Sequence, residues 1–145
     1  MRMFHVSIHH RPDDVVANGT IALAGETFAT LKVAADRRDL AFASSFERAA
    51  AALGALPRLF IEPDGSFVWV SSAAATADWQ LDGVLYDRDG KLLFVDLKGC
   101  STAADFDQLL AALGSPPERV MFQLAREAVF IDELEFRRFA FGQGV

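Results

Sequence analysis

Asp82, Asp96 and Lys98 are the residues of this chain whose types and spacing could do chemistry together. They lie in the stretch WQLDGVLYDRDGKLLFVDLKGC, residues 79–100. It reads as two β-strands joined by a tight turn. Asp82 starts the first strand, and Asp96-Leu97-Lys98 ends the second. Two carboxylates and a lysine on an otherwise apolar hairpin have two explanations. One is a divalent-metal site for phosphodiester hydrolysis, because Mg²⁺ takes oxygen ligands, few of them protein carboxylates, and completes its octahedron with water. The other is a salt-bridge cluster without chemistry.

Cooperation between the two acids depends on the turn. A two-residue loop, Asp89-Gly90, pairs Arg88 with Lys91 and Asp82 with Leu97, so Asp96 projects from the opposite face. A three-residue loop, Arg88-Asp89-Gly90, with Gly90 left-handed as a bulge, pairs Asp87 with Lys91 and sets Asp82 opposite Asp96. Asp89 followed by Gly-Lys suits the second geometry, which is the register expected. One face then carries Asp82, Val84, Tyr86, Leu92, Phe94, Asp96 and Lys98; the other carries Leu85, Leu93, Val95 and Leu97. Apolar residues on both faces predict a central hairpin covered on both sides. Like charges so close need a cation or Lys98 between them.

The elements that position these residues follow from periodicity. Residues 3–9 alternate and predict a strand, as do 20–24 and 27–34 around Gly25-Glu26. Residues 44–56 predict a helix, with Phe46, Ala49, Ala50, Leu53 and Leu56 on one stripe, Ser44 and Glu47 in a capping-box pattern, and Pro57 as the stop. Strands at 58–61 and 66–71 flank the turn Glu62-Pro63-Asp64-Gly65. The unbroken run Phe67–Val70 suggests a strand buried on both faces. Residues 101–113 predict a helix capped by Ser101 or Thr102 and ended by Gly114 and Pro116-Pro117. Strands at 120–124 and 128–131 and a short helix opened by Asp132 complete the chain. The expected fold is a single α/β (α+β) domain with a mostly antiparallel central sheet and about three helices.

With those elements around them, Asp82, Asp96 and Lys98 resemble the PD-(D/E)XK nuclease superfamily over residues 44–124. The resemblance implies an αβββαβ core, with the residue 3–34 strands as additions. It implies Mg²⁺ held by Asp82 and Asp96, with Lys98 orienting or polarising the attacking water. It also implies a further metal ligand from the first core helix, where Glu47 stands.

Composition bounds the rest. The 145 residues are 52% apolar and 23% charged, enough for one core of ordinary size. A net charge of −6 disfavours a broad nucleic-acid face. No apolar run reaches membrane-spanning length and no secretory signal opens the chain, so the expectation is a cytoplasmic protein with no membrane partner. The lone Cys100 excludes an internal disulfide and reads as a small residue packed after a strand. His5 and His9 share a strand face, where zinc is conceivable, but a polar strand face and its exit is the favoured reading of them and His10. No nucleophile-elbow or phosphate-loop motif occurs. Trp69 and Trp79 pack on each other or form an exposed pocket. Against the nuclease reading stands a non-catalytic protein-interaction or assembly module that uses the N-terminal strands as an open sheet edge for a homodimer.

Overall fold

The structure is a computed structural model and describes residues 1–142. Three hairpins dominate it, each closed by the turn its residues dictate. β2 (Val16–Leu23) and β3 (Glu26–Lys32) meet at Ala24-Gly25, whose φ angles are 50° and 81°. β6 (Gln80–Arg88) and β7 (Lys91–Gly99) meet at Asp89-Gly90, with φ angles of 54° and 82°. Two consecutive left-handed residues are what a two-residue turn needs to match strand twist. β4 (Leu59–Ile61) and β5 (Ser66–Val70) are joined by Glu62-Pro63-Asp64-Gly65, where the Glu62 N–H donates to Ser66 O at 2.8 Å. The Asp64 carboxylate accepts from the Ser66 hydroxyl and N–H, which holds it below the usual carboxylate range.

With β1 (Phe4–His10), β8 (Val120–Leu124) and β9 (Phe130–Asp132), these strands form one nine-stranded sheet in the order β2-β3-β9-β8-β1-β7-β6-β5-β4. Every pairing is antiparallel. The fold is therefore α+β with an antiparallel sheet and, among the described residues, three helices. The N-terminal strand is not an addition to the sheet but its middle member. β1 separates β7 from β8, and its Val6 and Ile8 are fully buried.

The helices α1 (Phe46–Gly54), α2 (Ala103–Ala112) and α3 (Glu133–Phe141) cover one face. They bury Ala49, Leu53, Phe106, Leu109, Leu110 and Phe136 in one core with Leu81, Leu85, Val95 and Leu97 of β6 and β7. Phe136 stacks on Phe122 at 4.1 Å between centroids, and Phe4 meets Phe136 edge-on at 5.2 Å. Each such ring contributes about 1.5–3 kcal/mol through burial. Caps set the helix starts: Thr102 accepts from the Asp105 N–H and Asp132 from the Glu135 N–H. On α1 the cap is Ser45, which accepts from the Arg48 N–H at 3.0 Å. The Ser44–Glu47 capping box is thus displaced by one residue. Glu47 instead sits in the first turn, where the helix dipole favours an acid.

The second face is covered only at one end, by the cluster of Val15, Leu31, Val33, Met121 and Phe130. Over β1, β7, β6 and β5 it is open. The expectation of a hairpin covered on both sides does not hold, nor does that of a doubly buried strand at 66–71. Phe67 and Trp69 are buried, whereas Val68 between them is exposed. Trp69 and Trp79 do pack on each other, edge to face at 5.1 Å, and Cys100 is buried directly after β7. No helix among the described residues is long and apolar enough to cross a membrane.

Candidate functional site

The turn at Asp89-Gly90 has two residues, and Arg88 pairs with Lys91. That geometry alone would part the two acids. It does not, because the register shifts after Asp87: Asp87 pairs with Leu92, Tyr86 with Phe94, and Leu93 is left as the extra residue of a bulge. The shift restores Asp82 and Asp96 to one face, while Leu92 is fully buried on the helix-covered face. Asp82 lies across from Lys98, and Asp96 across from Val84. The expected direct opposition of Asp82 and Asp96 is thus corrected to a diagonal, which sets their Cβ atoms roughly 7–8 Å apart.

Both acids on this face have side-chain partners of their own. His5 Nε2 lies 3.1 Å from Asp96 Oδ1. Gln80 Nε2 donates to Asp82 Oδ1 at 2.9 Å. Lys98 stands between His5 of β1 and Asp82 of β6, its neighbours across the two ladders. Asp82 and Lys98 are exposed and Asp96 is partly so. Glu47 does not join them. It is exposed on α1, which packs Ala49 and Leu53 against the opposite face of the sheet.

These positions bear on magnesium. The two carboxylates lie on a diagonal, with a lysine directly across from one and a histidine bound to the other. No group of three or more His, Cys, Asp or Glu side chains among the described residues is placed to hold a metal ion. Clefts of 460–640 Å³ on the described surface are lined by residues other than Asp82, Asp96, Lys98 and Glu47.

What the strand pattern concealed is an aromatic ladder beside that cluster. Tyr86 stacks on Phe94 at 4.5 Å, and Phe94 stacks on His9 at 5.3 Å. The ladder crosses three strands, with Tyr86 opposite Phe94 and Phe94 opposite His9. The signal was present in the even spacing of Phe94 and Asp96, but apolar residues on that face read as core. His9 is the buried end of the ladder. Burial lowers its pKa from 6.5 to about 4. Its Nε2 lies 2.7 Å from Ser7 Oγ, and its Nδ1 is buried without a partner among the described residues. His5, His9 and His10 therefore part ways: His5 pairs with Asp96, His9 enters the ladder, and His10 binds Glu118.

The sheet has two edges of unlike character. β4 is three residues long, between Pro57 and Pro63. β2 is eight residues long, VANGTIAL, with no charge and no proline, and most of it is exposed. A register shift between Ala17 and Thr20 bends its first half, and Thr20–Leu23 then runs in unbroken register along β3. The hairpin is anchored from behind. Arg138 Nη2 donates to Thr27 O and Glu135 Oε2 accepts the Ala29 N–H, each at 2.6 Å. Arg138 also lies beside Glu135 and holds its carboxyl below the usual range.

No family model matches this chain, and comparisons with curated proteins and with solved structures likewise return no match.

Proposed function

We propose that this chain is a non-catalytic assembly module that pairs with a second copy of itself along the open edge of β2. The observation that carries the reading is the Thr20–Leu23 edge: uncharged, exposed at Thr20 and Ala22, and backed by β3, which α3 holds through Thr27 and Ala29. An unpaired edge presents a row of N–H and C=O groups, and edges left single usually carry lysine, proline or a short strand to blunt them. β4 is blunted in that way and β2 only by its bulge. An antiparallel strand placed against itself is two-fold symmetric, so one surface serves both partners. Four residues per side give a small interface, below the size of a permanent dimer, and the expected dissociation constant is on the order of micromolar. Light scattering on the eluting protein over a concentration series tests this. A mass that rises toward twice the monomer supports it; a constant monomer mass at high concentration removes it.

A second reading, Mg²⁺-dependent phosphodiester hydrolysis, has one observation in its favour: Asp82, Asp96 and Lys98 share an open face of adjacent strands. Its donor set is incomplete, since Glu47 is across the sheet and Asp96 is engaged by His5. Incubation with labelled single- and double-stranded DNA and Mg²⁺ or Mn²⁺ separates the two readings. Cleavage abolished by Asp96→Asn would establish the second.

A further inference from the structure

One cleft collects the opposite charge to the rest of the molecule. It lies between the end of β1, the start of α1 and the 113–119 segment, and has a volume of about 640 Å³. Three guanidinium groups line it: Arg11, Arg48 and Arg119. The acids that line it are Asp13 and Glu118. Glu118 is spent: one carboxylate oxygen binds His10 Nδ1 and the other accepts the Ala43 N–H at 3.0 Å. Asp13 is almost fully exposed and reaches Arg119 only at 3.7 Å, a contact that solvent screens heavily.

The arginines are therefore under-compensated. Arg48 makes no side-chain ion pair among the described residues. Arg11 has a single side-chain hydrogen bond, from Nη2 to Val15 O at 3.4 Å, and its Nε is buried without a partner. Its backbone N–H donates to Arg119 O at 2.9 Å, which fixes the two arginine-bearing segments to each other. In a chain of net charge −6, this cleft gathers three arginines against two acids, a net positive lining that an anion complements. Guanidinium forks match the oxygens of phosphate groups in pairs, and a concave wall keeps them from full hydration.

We propose that this cleft binds a small soluble polyanion bearing phosphate groups, gripped by Arg11, Arg48 and Arg119. Arg11 is the stiff element of the site, and Arg48 and Arg119 close on the ligand from the two rims. The site is remote in sequence from Asp82 and Asp96 and independent of pairing through β2.

The test is calorimetric titration with sodium pyrophosphate and with inorganic phosphate, ionic strength being held constant with sodium chloride. Wild-type protein binds pyrophosphate saturably and more tightly than phosphate. Arg48→Gln and Arg119→Gln, both solvent-facing changes that leave the thermal midpoint within about a degree, each weaken binding about tenfold or more. Glu118→Gln, which removes an acid from the wall, does not weaken it. A parallel arm measures co-sedimentation with phosphatidylcholine vesicles containing phosphatidylglycerol, where none is expected. Absence of saturable binding up to about 10 mM pyrophosphate overturns the proposal. So does binding that both arginine variants leave unchanged, or binding seen only with the vesicles.

Discussion

Asp82 faces Lys98 across the β6–β7 ladder, and it does so because Leu93 is an extra residue in β7. A two-residue turn without the bulge would set Asp82 against Leu97 and bury one of the two acids against α1 and α2. Leu92, opposite Asp87 with or without the bulge, is fully buried in the same core as Leu85 and Val95. One unpaired leucine thus sorts the charged half of the hairpin from the apolar half.

The same hairpin packs tightly at one of its glycines. Gly83 lies opposite Phe67, and a Cβ added there would stand 2.1 Å from the Phe67 ring. Gly83→Ala is expected to destabilise the fold by about 1–3 kcal/mol through overpacking. In urea unfolding, a companion Phe67→Leu change should make the pair less costly than the sum of its members. Gly90→Ala differs in kind. Nothing lies within 4 Å of the added Cβ, so only the φ of 82° opposes it, at a cost of about 1 kcal/mol.

The His5–Asp96 pair on the open face contributes little to stability. His5 and Asp96 are both substantially exposed, so Asp96→Asn should change stability by under about 1 kcal/mol. Its thermal midpoint should also be indifferent to millimolar Mg²⁺, as should that of the wild type. A midpoint raised by Mg²⁺ in the wild type and not in Asp96→Asn would contradict the salt-bridge assignment.

Acid sensitivity should trace to His9. The folded chain keeps it neutral down to about pH 4, while the unfolded chain takes up its proton near 6.5. Between those values the unfolded state binds more protons, so stability falls as pH drops. His9 stabilises fully above pH 6.5, and roughly 3 kcal/mol is lost once pH is below both values. Denaturant titrations from pH 7.5 to 4 should show this slope, and His9→Phe, which keeps a ring against Phe94 and Phe130, should flatten it.

Much of this molecule was legible from local rules. Thr102 and Asp132 announce helix starts, Pro57 and Gly114 announce ends, and Asp64-Gly65 announces a turn, because caps and turns depend on a few neighbouring residues. What could not be read was decided at longer range. A bulge at Leu93 leaves no local mark, since Leu92, Leu93 and Phe94 are alternative apolar neighbours and the choice among them is made by the core. Phe94 and Tyr86 were expected inside, but the three helices all settle on the other face. The placement of β1 between β7 and β8 joins segments from about ninety to well over a hundred residues apart, and no periodicity encodes it. Glu47 fell out of the candidate site for the same reason: its helix chose the face that Asp82 and Asp96 leave.

Sedimentation velocity on the wild type and on Thr20→Lys/Ala22→Lys is the most direct test of assembly through β2. Both positions are exposed, and the lysines blunt the edge without entering the core. The wild type should shift from monomer toward dimer across the micromolar range while the variant, equally folded by circular dichroism, stays monomeric. A wild type that is monomeric throughout, or a variant that dimerises as well as the wild type, would contradict pairing along this edge.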